Sequence, residues 1–142
     1  MTCKPATGNR QPLPNPQNII MLADKKLKAF VPTLKPAEAK IFYRDILGLE
    51  LLSEVDYALE FNANGTLLRV TIVPELTTQA FTVLGWNVED ISSAIKSLNM
   101  KGIKCEKYHF LQQDDTGIWT SPNGSKVAWF KDPDGNILSL TE

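Results

Sequence analysis

The sequence predicts an α+β domain built of two tandem βαβββ modules. Three observations predict it. A strand–helix–strand–strand–strand order of hydrophobic periodicity runs through about 25–76 and again through about 80–142. The dipeptides Asn64-Gly65 and Asp134-Gly135 are tight-turn signals standing before the last strand of each repeat. The composition, 142 residues with 43% hydrophobic content and a net charge of -1, suits a folded domain and not a disordered chain.

Residues 1–24 form a Pro-rich N-terminal arm carrying Pro5, Pro12, Pro14 and Pro16. Its apolar run Ile19, Ile20, Met21 and Leu22 could dock on another surface. The domain proper then spans 25–142. A short apolar strand over 27–34 is closed by Pro36, which suits the first turn of a helix. Ala39, Phe42 and Ile46 repeat along one face of that helix, and Gly48 ends it. Strands follow over 49–55, 57–62 and 66–73. In the second module 81–88 is a strand. Asp90 is placed to cap a helix marked by Ile91, Ala94, Ile95 and Leu98 and ended near Gly102. Strands are expected over 103–108, 126–131 and 137–141, with a short extended piece over 117–121.

The two modules can be registered on their turns. Placing Asn64-Gly65 on Asp134-Gly135 matches Leu67 with Ile137, Leu68 with Leu138, Arg69 with Ser139 and Val70 with Leu140. Arg69 and Ser139 are the one polar column in otherwise apolar strands. They mark either the lining of a cavity or a sheet face in solvent.

The charge balance, 15 Lys+Arg against 16 Asp+Glu, builds no basic face, so no nucleic-acid partner is expected. No apolar run reaches the ~20 residues of a membrane span, so no membrane partner is expected either. The start lacks an apolar signal core, which makes a cytoplasmic location the expectation. Cys3 and Cys105 lie far apart and suggest neither a disulfide framework nor a zinc site, and His109 is the single histidine.

The segment Phe42-Tyr43-Arg44-Asp45-Ile46-Leu47-Gly48-Leu49, then Val88-Glu89-Asp90-Ile91, then Phe130-Lys131-Asp132-Pro133-Asp134-Gly135-Asn136, resembles the vicinal oxygen chelate superfamily. That group holds glyoxalase I, the bleomycin and fosfomycin resistance proteins and extradiol dioxygenases. The likeness covers about 27–142 and implies that the two βαβββ modules form a curled mixed sheet, an open cup with helices on its outer face. It also implies a divalent metal held by a His or Gln on each module's first strand and a Glu on its last. Carried over position by position, those four places hold Lys28, Arg69, Val83 and Ser139. Two cations, an isopropyl group and a hydroxyl are poor company for a divalent ion. The expectation is therefore no metal and no cofactor.

Without a metal the first class of function is a binding protein for a small polar or anionic organic molecule, with a cup lined by Lys28, Phe30, Arg69, Thr71, Asn87, Ser139 and Thr141. Lys28 and Arg69 on neighbouring strands would suit a carboxylate or phosphate, or Lys28 would stand solvated beside Lys25 and Lys26. The alternative is a lyase, isomerase or dioxygenase of the same superfamily with an unrecognised metal site. A metal-independent enzyme would need a general base. His109 is the obvious titrating group, but as a lone histidine it is expected on the surface. Glu54, Asp56 and Glu60 are expected to be solvated strand residues, Asp114-Asp115 a loop pair, and Glu142 a frayed end able to reach the cup rim. No catalytic residue is assigned. Trp86 is expected to face the helices, with Phe42 and Trp129 as further core, while Trp119 would gate the cup or fill a dimer contact. The resemblance implies a homodimer.

Overall fold

A computed structural model of the chain describes residues 19–142. Most of the Pro-rich arm, with Cys3, lies outside the described residues. Within them the two modules are present. The first is β1 (Lys28–Thr33), α1 (Pro36–Ile41), β2 (Glu50–Val55), β3 (Ala58–Ala63) and β4 (Thr66–Ile72). The second is β5 (Thr82–Asn87), α2 (Ile91–Met100), β6 (Trp119–Thr120), β7 (Lys126–Lys131) and β8 (Ile137–Thr141). The strands make two four-stranded sheets, ordered β1-β4-β3-β2 and β5-β8-β7-β6. In each, the first strand is parallel to the last and every other pair is antiparallel. The sheets meet where β1 and β5 touch, and they are not closed into a barrel.

Pro36 opens α1, and Ala39, Phe42 and Tyr43 bury against the sheet. The helix ends differently from its apolar spacing. Residues Phe42–Ile46 form a π-helical turn, with the Leu47 N–H reaching the Phe42 carbonyl at 2.9 Å and the Leu49 N–H the Tyr43 carbonyl at 2.9 Å. Gly48 then takes a left-handed φ of 78°, which a glycine accepts at no steric cost. In the second module the Asp90 carboxylate accepts the Ser93 N–H at 3.1 Å and caps α2 as expected, while Ile91, Ile95 and Leu98 face inward.

One expected strand is missing. Residues 103–108 are irregular, and the outer strand of the second sheet is only Trp119–Thr120. The reason is a side chain that stands in for a strand partner. The Gln113 carboxamide accepts the Tyr108 N–H at 2.7 Å and donates to the carbonyls of Glu106 at 2.9 Å and Gly117 at 2.8 Å. A single ladder-like bond from the Glu106 N–H to the Trp129 carbonyl, 2.7 Å, keeps this segment beside β7.

The core lies between sheets and helices. Phe61, Leu59, Leu68, Val70 and Val31 come from the first sheet, and Phe130, Leu138 and Ala128 from the second. Trp86 stacks on Phe130 at 6.5 Å on this side, as strand parity predicts. The loop between β7 and β8 fastens one module to the other. Asp134 accepts the Thr33 hydroxyl at 2.5 Å and the Leu34 N–H at 2.7 Å, and Asn136 donates to the Pro32 carbonyl at 3.0 Å. The buried Asp132 carboxylate accepts the Tyr43 hydroxyl at 2.8 Å. Burial, more than the neighbouring Asp132 charge, drives the Tyr43 phenol far above its ordinary range, so it stays a neutral donor. The Phe130–Asn136 segment, part of the family resemblance, is a clamp between modules. Among the described residues Ile19, Ile20, Met21 and Leu22 lie exposed.

Candidate functional site

Strand pairing sets one row of residues across the face turned away from the helices. In the first sheet Arg69 stands opposite Phe30 on one side and Glu60 on the other. In the second sheet Ser139 stands opposite Gly85 and Trp129. These are the two halves of the polar column read from the turns. Lys28 lies two residues before Phe30 on the same face of β1, opposite Leu67. Thr71 faces Pro32 and Ala58, and Thr141 faces Asn87 and Val127. Val83 is displaced by a bulge, because the register shifts between Thr82 and Leu84.

Glu60 is not a solvated strand residue. Its carboxylate lies 3.2 Å from Lys28 Nζ and 3.7 Å from Arg69 Nη1, with only 24% of the side chain exposed. Lys28 is accordingly not idle beside Lys25, which pairs with Asp24 instead. The Lys28 ammonium, more than Ser53 or Arg69, holds the Glu60 carboxyl below its ordinary range. Both cations also lie over aromatic rings: Lys28 Nζ is 5.7 Å from the Phe30 centroid and Arg69 Cζ is 5.3 Å from that of Tyr57. At 3.7 Å the Arg69–Glu60 contact is longer than a hydrogen bond, so the guanidinium N–H groups are not spent on it.

In the second sheet the ion pairs stand at the ends of β7, Lys131 Nζ 3.3 Å from Glu106 and Lys126 Nζ 3.6 Å from Glu142. Trp129 was expected in the core, but it shares the face of Ser139, because β7 turns Ala128 and Phe130 inward and Trp129 outward. It packs against Trp119 at 6.3 Å and edge-on against Tyr108 at 5.7 Å. Tyr108 in turn stacks on the exposed Phe110 at 5.5 Å.

The remaining titrating residues do not join this row. His109 is exposed and packs edge-on to Phe110 at 5.5 Å. Asp114 folds its own loop by accepting the Thr116 and Ile118 N–H groups, each at 2.9 Å. Glu142 is not frayed. It exchanges backbone hydrogen bonds with Lys126, and its carboxylate accepts the Ile91 N–H at 2.7 Å, a second cap on α2 beside Asp90. Among the described residues no three His, Cys, Asp or Glu side chains are grouped to hold a metal ion. No described helix is long and apolar enough to cross a membrane. A cavity of about 320 Å³ opens between Ile46, Trp86, Asn87, Ser97 and Lys101, and Asn87 at the end of β5 borders it. Another of about 220 Å³ lies between Leu27, Ala29, Leu84 and Gly85.

Two curled βαβββ modules meeting at their first strands define a known class. The model of the Glyoxalase/Bleomycin resistance protein/Dioxygenase superfamily matches residues 28–140, and the chain belongs to that superfamily. Among solved structures it is similar to a superfamily member from Sphaerobacter thermophilus (TM-score 0.66, 21% identity, 86% of this chain and 99% of that one). It is also similar to a glyoxalase family protein from Enterococcus faecalis (0.62, 26%, 86% and 100%). A third likeness is to a lactoylglutathione lyase from Agrobacterium tumefaciens (0.64, 18%, 84% and 93%). No curated protein matches the sequence.

Proposed function

We propose that the chain is a metal-free member of its superfamily that binds a small polar or anionic organic molecule on the cup face. The observation that carries this reading is Arg69: a side chain three-quarters covered, its guanidinium over the Tyr57 ring, beside a second cation, with donors unspent on Glu60. Lys28 and Arg69 against the single Glu60 leave one positive charge in excess. A guanidinium held in place loses little further freedom when a carboxylate takes its paired N–H groups.

A divalent ion does not fit the same place. The four positions at which the superfamily's metal is expected hold Lys28, Arg69, Val83 and Ser139. Lys28 and Arg69 would repel the ion, Val83 offers no lone pair, and the nearby Glu60 is already shared by the two cations. The competing reading, a metal-dependent lyase, isomerase or dioxygenase, draws on the likeness to lactoylglutathione lyase, which at 18% identity concerns the fold. A cytoplasmic homodimer belongs to the proposal as well. Exposed Leu52, Val55 and Phe81 would be available for such a contact.

Calorimetric titration with benzoate, phenylphosphate and the neutral benzamide tests the reading. The two anions should bind more tightly than benzamide. Arg69→Met should weaken them by about tenfold to a hundredfold, the scale of a charge-assisted hydrogen bond of ~1.5–3 kcal/mol. Unchanged anion affinity in both Arg69→Met and Lys28→Met would rule the site out.

A further inference from the structure

The cavity of about 320 Å³ is separate from the residues of the cup face. It lies on the helix side of the second sheet and is made by both modules. Phe130 and Leu140, both buried, give it an apolar floor from β7 and β8. Trp86 stacks on Phe130 at 6.5 Å and stays only half-buried. Ile46 and Leu47, at the end of the π-helical turn, bring in the first module.

The room comes from α2. Ala94, Ser97 and Leu98 share one of its faces by the helical period, and Lys101 follows at the C-cap in the same row. The two short side chains leave open the space that longer ones would fill. The polar groups gather in one part of the lining: the Asn87 amide, the Ser97 hydroxyl and the Lys101 ammonium. Lys101 is the single charged residue that lines the cavity. Its Nζ donates to the carbonyls of Asp45 at 3.2 Å and Ile46 at 3.1 Å, which fixes the ammonium and leaves its third N–H. The Asp45 carboxylate is taken by Arg44 at 2.9 and 3.2 Å, so it does not claim that donor. A π-helical turn is an irregularity found often at functional sites, and here its carbonyls hold the one cation of the cavity.

We infer that this cavity is a second binding site, for a small amphipathic acid with its apolar body on Trp86, Phe130 and Leu140 and its carboxylate on Lys101. The volume equals that of about ten water molecules, at the lower end of small-molecule sites, and suits a ligand of roughly ten non-hydrogen atoms. Asn87 and Ser97 each supply a further donor to the acid group. The site does not depend on the anion reading of the cup.

Calorimetric titration of the full chain with octanoate, the neutral octanamide and the short butyrate tests the assignment. The wild type should bind octanoate about threefold to fivefold more tightly than octanamide, the scale of an ion pair in contact with water. It should bind octanoate at least tenfold more tightly than butyrate, which leaves most of the floor bare. Lys101→Met should abolish the first preference and keep the second, while Lys101→Arg keeps both. Ala94→Leu and Ser97→Leu narrow the cavity without touching the ammonium, and each should weaken octanoate at least tenfold. These two still decide the matter should Lys101→Met fail to fold. Arg69→Met should change none of these affinities. Octanoate binding that both leucine variants leave unchanged, or that Arg69→Met removes, overturns the site, as does no binding by the wild type. Equal wild-type affinity for octanoate and octanamide overturns the choice of an acid.

Discussion

Asp132→Ala is expected to lower stability by about 4 kcal/mol and the Tm by roughly 12–16 °C, at ~3–4 °C per kcal/mol for a chain of this length. The carboxylate is 6% exposed and accepts four hydrogen bonds. The donors are the Tyr43 hydroxyl at 2.8 Å, the Asn136 amide at 2.8 Å, and the N–H groups of Asp134 at 3.0 Å and Asn136 at 2.9 Å. Alanine strands several buried donors at once, each costing about 1–3 kcal/mol less whatever water enters to satisfy it. Tyr43→Phe removes one bond and no backbone partner, and should cost only ~1–2 kcal/mol. Thermal unfolding followed by circular dichroism measures all three proteins. Equal Tm values for Asp132→Ala and Tyr43→Phe would show that the loop does not depend on the carboxylate as described.

The second large effect belongs to Phe130→Ala, expected to cost about 3–5 kcal/mol by loss of buried surface and creation of a cavity. Phe130 is fully buried and meets Phe42 of the first module at 6.4 Å and Trp86 of the second at 6.5 Å. It also lines the cavity of about 320 Å³, which truncation would enlarge. Because the residue belongs to both halves, the two modules should still unfold together at a lower temperature. A calorimetric trace split into two transitions would show instead that each module is held by its own core.

The repeat was legible because it rests on local signals. The strand period, the positions of Asn64-Gly65 and Asp134-Gly135, and the capping Asp90 are all written within a few residues of what they determine. The same turns held more information than was drawn from them. Glu60 and Arg69 are equidistant from the Asn64-Gly65 turn, and so they pair. Glu60, read as a solvated residue, therefore stood opposite a cation that lies 3.7 Å from it. Trp129 and Ser139 are likewise equidistant from Asp134 and pair in the same way. Assigning Trp129 to the core followed its hydrophobicity and overlooked that parity.

Other features had no local trace. The FKDPDGN segment is recognisable as a family mark, but its work as a clamp depends on Thr33 and Tyr43, about a hundred residues away in sequence. The irregular course of 103–108 depends on the Gln113 side chain, which supplies the hydrogen bonds of an absent strand from outside the segment. The cap that Glu142 places on Ile91 is a third case, since nothing near position 142 signals a helix that begins 51 residues earlier.

The central claim is that this cup works through fixed cations where its superfamily is expected to use a metal. It is tested most directly by the metal content of untagged protein purified without chelators, together with its Tm under Ni²⁺, Zn²⁺, Mn²⁺ and Fe²⁺. The account predicts substoichiometric metal and no ion-specific rise in Tm, because a bound ion would stabilise the fold by mass action. One ion per chain, or a rise of several degrees with a single ion that Arg69→Met and Ser139→Ala remove, would contradict it.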